Sequence, residues 1–241
     1  MNATTLSRSR FPIAHPFAIP AADTSAIDIE RLREQVPVLR RRIRAGQYVH
    51  RAGQPFHALY LVHVGCFKTC EFSDDGREQV TGFRMRGDLV GVESIGLAAY
   101  ACDAVALEDG EVWELPYPPV LKACFGMPDL HARLTAAMAE EIRRDRAWML
   151  ALGTLTADQR VAAFLIDIAR RCAALGFSDR HFILRMGRAD MANYLALKHE
   201  TVSRALARLQ ALGCIEIVRR EVKVLDAEGL AALASQSEAV H

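Results

Sequence analysis

The chain has 241 residues, more than one average domain and fewer than three, and its 51% hydrophobic residues suffice for packed cores. Its 30 Lys and Arg against 29 Asp and Glu leave a net charge of +1, which excludes a molecule that is a polycation as a whole. No run reaches the ~18 consecutive apolar residues of a membrane span, and MNATTLSRSRFPIAHPF at the start lacks the unbroken apolar core of a signal peptide. A cytoplasmic protein with no membrane partner is expected, its six cysteines held as thiols.

Residues 1–25 are rich in Ser, Thr, Ala and Pro without a sustained period, and read as a mobile arm in which His15 beside Pro16 is a solvated loop residue. A short helix is predicted from Ile27 to Leu39, followed by Arg40-Arg41-Arg42 as a solvated basic face. From Arg42 to Tyr117 the pattern changes to short runs rich in Val, Phe, Tyr and Leu. Ala58–Val62, Cys66–Phe72, Gln79–Phe83 and Glu111–Leu115 read as strands. Asp74-Asp75-Gly76 reads as a hairpin turn, and Gly53, Gly65, Gly87 and Gly91 stand at corners. Many short strands with regular turns predict a small β-barrel or β-roll over 26–127.

Over 128–153 the period becomes helical. Leu134, Met138, Ile142, Met149 and Leu152 fall on one stripe, with Asp145 among them. A stripe that narrow on a long helix between two domains predicts the seam of a two-stranded coiled coil, with packing inside one chain as the alternative. Gly153 to Thr156 reads as a hinge into the last domain, 154–241. There Ala157–Leu175 predicts an amphipathic helix with Val161, Phe164, Leu165 and Ile168 inward.

Arg188 to Gly213 then reads as two helices around a corner at Ala196-Leu197-Lys198. Met191, Ala192 and Leu195 repeat before it, and Val202, Ala205, Leu206 and Leu209 after it. Small Ala192 and Ala196 would let the backbones cross closely. This is the layout of a helix-turn-helix, whose second helix enters the DNA major groove. Glu200, Ser203 and Arg204 share one face at i, i+3 and i+4, away from Val202 and Leu206. A guanidinium bonds guanine O6 and N7, a carboxylate accepts from cytosine N4, and a hydroxyl adapts. The competing reading is a solvated face with a Glu200–Arg204 ion pair. Lys198, His199 and Thr201 flank these three as DNA-binding candidates. Ile215–Val218 and Glu221–Val224 alternate around Arg219-Arg220, a β-hairpin wing whose basic tip can lie along phosphate. From Thr154 to Arg220 there are 11 Lys and Arg against 6 Asp and Glu, a surplus that coincides with the helix-turn-helix. GxSxG, HExxH, a phosphate loop and paired catalytic carboxylates are all missing, so no enzyme is expected.

Asn193-Tyr194-Leu195 and Glu200-Thr201-Val202-Ser203-Arg204 resemble the DNA-reading signature of the FNR branch of the CRP/FNR transcription regulators. Gly65, Gly87-Asp88 and Gly91 match glycines at the turns of the cyclic-nucleotide-binding fold, and the resemblance extends from about Arg42 to Leu233. It implies an α+β architecture: a cyclic-nucleotide-binding-type β-roll, a long dimerisation helix and a winged helix-turn-helix. It further implies a homodimer on double-stranded DNA, contact with RNA polymerase, and a TTGAT half-site read by Glu200, Ser203 and Arg204. Asp145 matches an acidic residue that opposes dimerisation in this branch until a signal arrives. Lys198 departs from the pattern, standing where a helix-capping Thr is common; Lys cannot accept a backbone N–H.

Two effectors known in the family are not expected. Cyclic-AMP binders carry a Glu soon after the Gly-Asp turn and an Arg-Ser pair further on. Here Val92 follows Gly91, Glu93 is displaced, and Ala101-Cys102-Asp103 offers no cation for the phosphate. The [4Fe–4S] members use three N-terminal cysteines and one at the end of the barrel. This chain has none before Cys66, and Trp113 stands at the fourth position. No cofactor and no metal site are predicted. An unidentified ligand or none remains, with a thiol-based or haem-dependent regulator of the same fold as the alternative.

Overall fold

The computed structural model describes residues 29–235, and these divide inside one long helix into two compact units, residues 29–142 and residues 143–235. The expected N-terminal arm, with His15, lies outside the described residues.

The unit over which the sequence predicts a β-roll, expected to be a sensor, opens among the described residues with α1 (Ile29–Arg33). Eight strands follow: β1 (Leu39–Ile43), β2 (Tyr48–His50), β3 (Ala58–Val64), β4 (Phe67–Phe72), β5 (Glu78–Arg84), β6 (Leu89–Val90), β7 (Asp103–Ala106) and β8 (Gly110–Pro116). They form two antiparallel four-stranded sheets, β1-β8-β3-β6 and β2-β7-β4-β5. One core, including Val49, Tyr60, Val62, Phe67, Tyr100 and Val112, is buried among these strands. A second core joins Leu59, Leu61 and Leu115 to α1, to α2 (Tyr117–Gly126) and to the start of α3 (Pro128–Thr154). The predicted strands therefore form, and the Gly76 corner has the left-handed φ (+78°) that its hairpin turn requires. Gly65 and Gly110 lie back to back: a Cβ on Gly65 would come within 2.9 Å of Gly110 Cα, and one on Gly110 within 2.5 Å of Val64 O. No side chain fits at either position.

Two expectations change here. The helix predicted over Ile27–Leu39 is only α1 within the described residues, and Leu39 opens β1, paired with Glu114. Arg40-Arg41-Arg42 thus lies in a strand, where alternation separates its side chains. Arg41 pairs with Glu114 at 3.0 Å, whereas Arg40 lies over the Trp113 ring. Leu134 is buried in the second sensor core and Met138 packs against it, so the start of the predicted seam faces its own chain.

The second unit, where the DNA-binding helix-turn-helix is expected, contains α4 (Ala157–Ala174), β9 (His181–Ile183), α5 (Arg188–Tyr194), α6 (His199–Ala211), β10 (Ile215–Val218), β11 (Glu221–Val224) and α7 (Ala227–Ser235). On α4, Val161, Phe164, Leu165 and Ile168 are all buried, as their period requires. β9 adds a third strand to the hairpin, in the order β10-β11-β9. The predicted hinge is tighter than its Gly suggested. α3 runs through Gly153 to Thr154, and Thr156 caps α4 through Gln159 Oε1, which accepts the Thr156 N–H at 2.8 Å.

Candidate nucleic-acid interface and sensor interior

α6 buries Val202, Ala205, Leu206 and Leu209, each at most 3% exposed. Its opposite face carries Glu200, Ser203 and Arg204, all exposed, preceded by exposed Lys198 and His199; Thr201 is half-buried. Among the described residues Glu200 and Arg204 form no ion pair with each other or with any other group, so the competing i,i+4 pair is not made. Arg208, one turn on, is different: it donates to Asp158 of α4 at 2.7 Å, which ties the far end of the helix down. Lys198 takes the extended N-cap conformation without a side-chain bond. The corner before it is turned by Ala196 at φ +48°, and Ala196 is exposed. The close crossing therefore uses Ala192, which is buried, and not Ala196.

The wing places Arg219 and Arg220 at its tip, both exposed, with Arg219 in the left-handed region at φ +58°. The tip is tied to the start of α5 and to the chain just before it. Arg188 donates to Arg219 O at 3.3 Å and Arg220 to Arg185 O at 3.2 Å. Arg185 and Arg188 thus join the basic tip, and sequence reasoning missed both. They lie 35 and 31 residues from their partners at the wing tip, and the β9–β11 pairing brings them back. Burial, and then the charge of Arg220, pull the Arg188 guanidinium below its ordinary range. An anion beside this group would relieve that repulsion.

Of the seam residues, Ile142 and Met149 are 52% and 65% exposed and Asp145 is exposed, whereas Leu152 is half-buried. Exposed Leu150 extends this apolar surface.

In the sensor unit, Gly91 turns at φ +93° into a short 3-10 turn, Val92–Ser94. Glu93 Oε1 accepts from the Cys102 thiol at 3.2 Å and from Ser94 at 3.3 Å, and its Oε2 is buried without a partner. Burial first, and then Glu93, hold the Cys102 thiol well above its ordinary range. The buried cation near this turn, Arg84, is committed elsewhere: it donates twice to Glu141 of α3, one bond being 2.7 Å. Burial opposes the Arg84 charge, but Glu141 outweighs it, and the guanidinium sits above its ordinary range. Trp113, at the place of the fourth cluster ligand, stacks on His63 at 4.3 Å and lies under Arg33 and Arg40. All six cysteines are buried. Among the described residues no group of three or more His, Cys, Asp or Glu is placed to hold a metal, and no helix is long and apolar enough to cross a membrane.

Comparison with known proteins gives the same two parts. Residues 159–233 match the Crp-like helix-turn-helix domain, and residues 40–125 match the cyclic nucleotide-binding domain. The transcriptional activator protein anr of Pseudomonas aeruginosa is 36% identical over 223 residues, covering 92% of this chain and 89% of that protein. The fumarate and nitrate reduction regulatory protein of Salmonella typhimurium is 37% identical over 198 residues, covering 82% and 79%. Among solved structures, FixK2 from Bradyrhizobium japonicum aligns with a TM-score of 0.75 at 29% identity, over 83% of this chain and 99% of that one.

Proposed function

This chain belongs to the CRP/FNR family of DNA-binding transcription regulators, and on that premise we propose that it acts as a homodimer on an FNR-like palindrome with TTGAT half-sites. Glu200, Ser203 and Arg204 read the bases, Lys198, His199 and Thr201 sit beside them, and Arg219 and Arg220 lie along phosphate. The observation that carries this reading is the state of Glu200 and Arg204: exposed, one turn apart, and committed to nothing among the described residues. Exposed Ile142, Met149 and Leu150 support pairing through the middle and end of α3, with Asp145 on the same face as Ile142 and Met149. Two carboxylates brought together there repel, so Asp145→Ala tightens the dimer, as sedimentation will show.

The residues present do not fit cyclic AMP. Arg84 is already held by Glu141, Glu93 accepts from the Cys102 thiol, and Ala101-Cys102-Asp103 stands where a cation is needed for the phosphate. Nor do they fit a [4Fe–4S] cluster, since the six thiols are buried and ungrouped. The effector is therefore another molecule, or there is none. Burial, which raises the thiols of Cys102, Cys124, Cys172 and Cys214, supports that reading over thiol chemistry. The exposed β4–β5 tip, Asp74 to Arg77, is the surface we assign to RNA polymerase.

An electrophoretic shift on TTGAT-N4-ATCAA tests the reading. Binding that survives a scrambled half-site, or fails on the palindrome, defeats it.

A further inference from the structure

Trp148, in the last two turns of α3, lies flat on Tyr194, the last residue of α5, with ring centroids 4.6 Å apart and planes within 11°. Tyr194 also meets Phe164 of α4 at 5.8 Å and 58°. In the same unit Arg160, in the first turn of α4, gives its guanidinium to three carbonyls: Leu152 O at 2.9 Å, Leu155 O at 3.0 Å and Leu195 O at 3.3 Å. Leu152 lies in the last turn of α3, Leu155 in the two-residue link, and Leu195 caps α5. Carbonyls at helix C-termini lack intrahelical partners and carry the negative end of the helix dipole. One cation therefore closes the ends of two helices together. The residue after Leu195 is Ala196, whose left-handed φ makes the corner into α6. The stack and the cation thus hold α5 immediately before the recognition helix, and they hold it to the end of α3.

We propose that Trp148, Tyr194 and Arg160 are positioning residues that make the last turns of α3 and the α5–α6 reader one rigid piece. None of them touches DNA. Their effect is geometric: the end of α3 dictates where α6 lies, so in a dimer paired along α3 the distance between the two readers is fixed. The link at Leu155-Thr156 cannot absorb a change of spacing, because its carbonyl and both flanking helix ends are held. This inference rests on the dimeric DNA-reading proposed above.

The test is the spacing preference. Binding is measured on TTGAT-N4-ATCAA, on the same duplex with the spacer lengthened by two base pairs, and on a single half-site. Wild-type protein prefers the first duplex over the second. Trp148→Ala and Tyr194→Leu lose about tenfold or less on the first, the weight of one aromatic stack. They bind the second and the half-site as before, so the preference levels out; Trp148→Phe, which keeps a ring, restores it. Amide hydrogen exchange at Leu195 to Lys198 quickens in the first two variants and recovers in the third. An unchanged spacing preference overturns the proposal, and so does a half-site loss that matches the palindrome loss, since that would mean general damage to the reader. If wild-type protein binds none of the duplexes, the DNA reading has failed by itself. The clamp is then decided by exchange alone, and unaltered exchange in Trp148→Ala overturns it.

Discussion

The sensor interior and the recognition helix treat charge in opposite ways. In the sensor, the Arg84 side chain is 4% exposed and bonded through two nitrogens to Glu141. On α6, Glu200 and Arg204 are exposed and reach no other group among the described residues. The sensor pair lost its water when the chain folded, so removing one member leaves the other charge stranded in the interior. The α6 pair keeps its water until a base edge arrives. The same kind of truncation should therefore unfold the first region and only blunt the second.

The strongest way to break this contrast is at Arg84. Arg84→Ala or Glu141→Ala should cost about 3–5 kcal/mol of stability, the usual range when a buried ion pair loses one partner. Urea unfolding followed through sensor tryptophan Trp113 measures it. A loss below about 1 kcal/mol would place the pair with ordinary surface bridges and erase the distinction.

A second probe of the sensor interior is pH. His50 is 2% exposed, its ring flat on Tyr100 at 3.9 Å and 12°. Burial lowers its pKa from 6.5 to about 4, and among the described residues neither ring nitrogen has a hydrogen-bond partner that would hold a proton there. The unfolded chain takes up this proton first. The contribution of His50 is thus complete above pH 6.5, declines as pH falls to about 4, and is constant below that. The difference amounts to about 3 kcal/mol. His50→Phe, which keeps the stack and cannot ionise, should flatten the sensor's unfolding profile across that window. A wild-type profile that is already flat would mean water reaches the ring.

These two probes depend on contacts that no local pattern announces. The strands and the helix-turn-helix were legible because alternation and the 3.6-residue period are local, and because Gly76 and Gly91 mark corners. The face of α6 was legible for the same reason: burial of Val202 and Leu206 dictates where Glu200 and Arg204 must point. Arg84 and Glu141 are 57 residues apart, and nothing near either one names the other. Leu39 was read with the preceding helix because its partner in the sheet, Glu114, lies far along the chain. Leu134 kept the right period, but period states only that a face is apolar, not what covers it. Leu134 belongs to the core that Leu59, Leu61 and Leu115 share with α1 and α2, and that core exists only once the roll has closed.

On the reading side, Arg204→Ala should cost ~1–3 kcal/mol on a TTGAT palindrome and relax selectivity at its guanine, with the unfolding midpoint unchanged. An equal loss on random DNA would assign Arg204 to phosphate. Arg208→Ala is the control on the same helix. Its bond to Asp158 is a surface bridge worth about 0–1 kcal/mol, so it should move stability slightly and selectivity not at all.

The smallest expected effect separates the two behaviours within a single residue. Arg219 occupies the first position of a two-residue hairpin turn at φ +58°, where the turn favours Gly and a side chain costs roughly 1–2 kcal/mol. It is also a charge at the tip of the wing. Arg219→Gly should therefore stabilise the DNA-binding unit by about 1 kcal/mol while weakening binding to all sequences alike and lowering the salt slope by about 1. Arg219→Ala removes the charge and keeps the strain, so it should weaken binding equally without the gain in stability. If both variants bind as wild type does, the strain at the wing tip is not held for phosphate, and the basic character of the tip must come from Arg185, Arg188 and Arg220 alone.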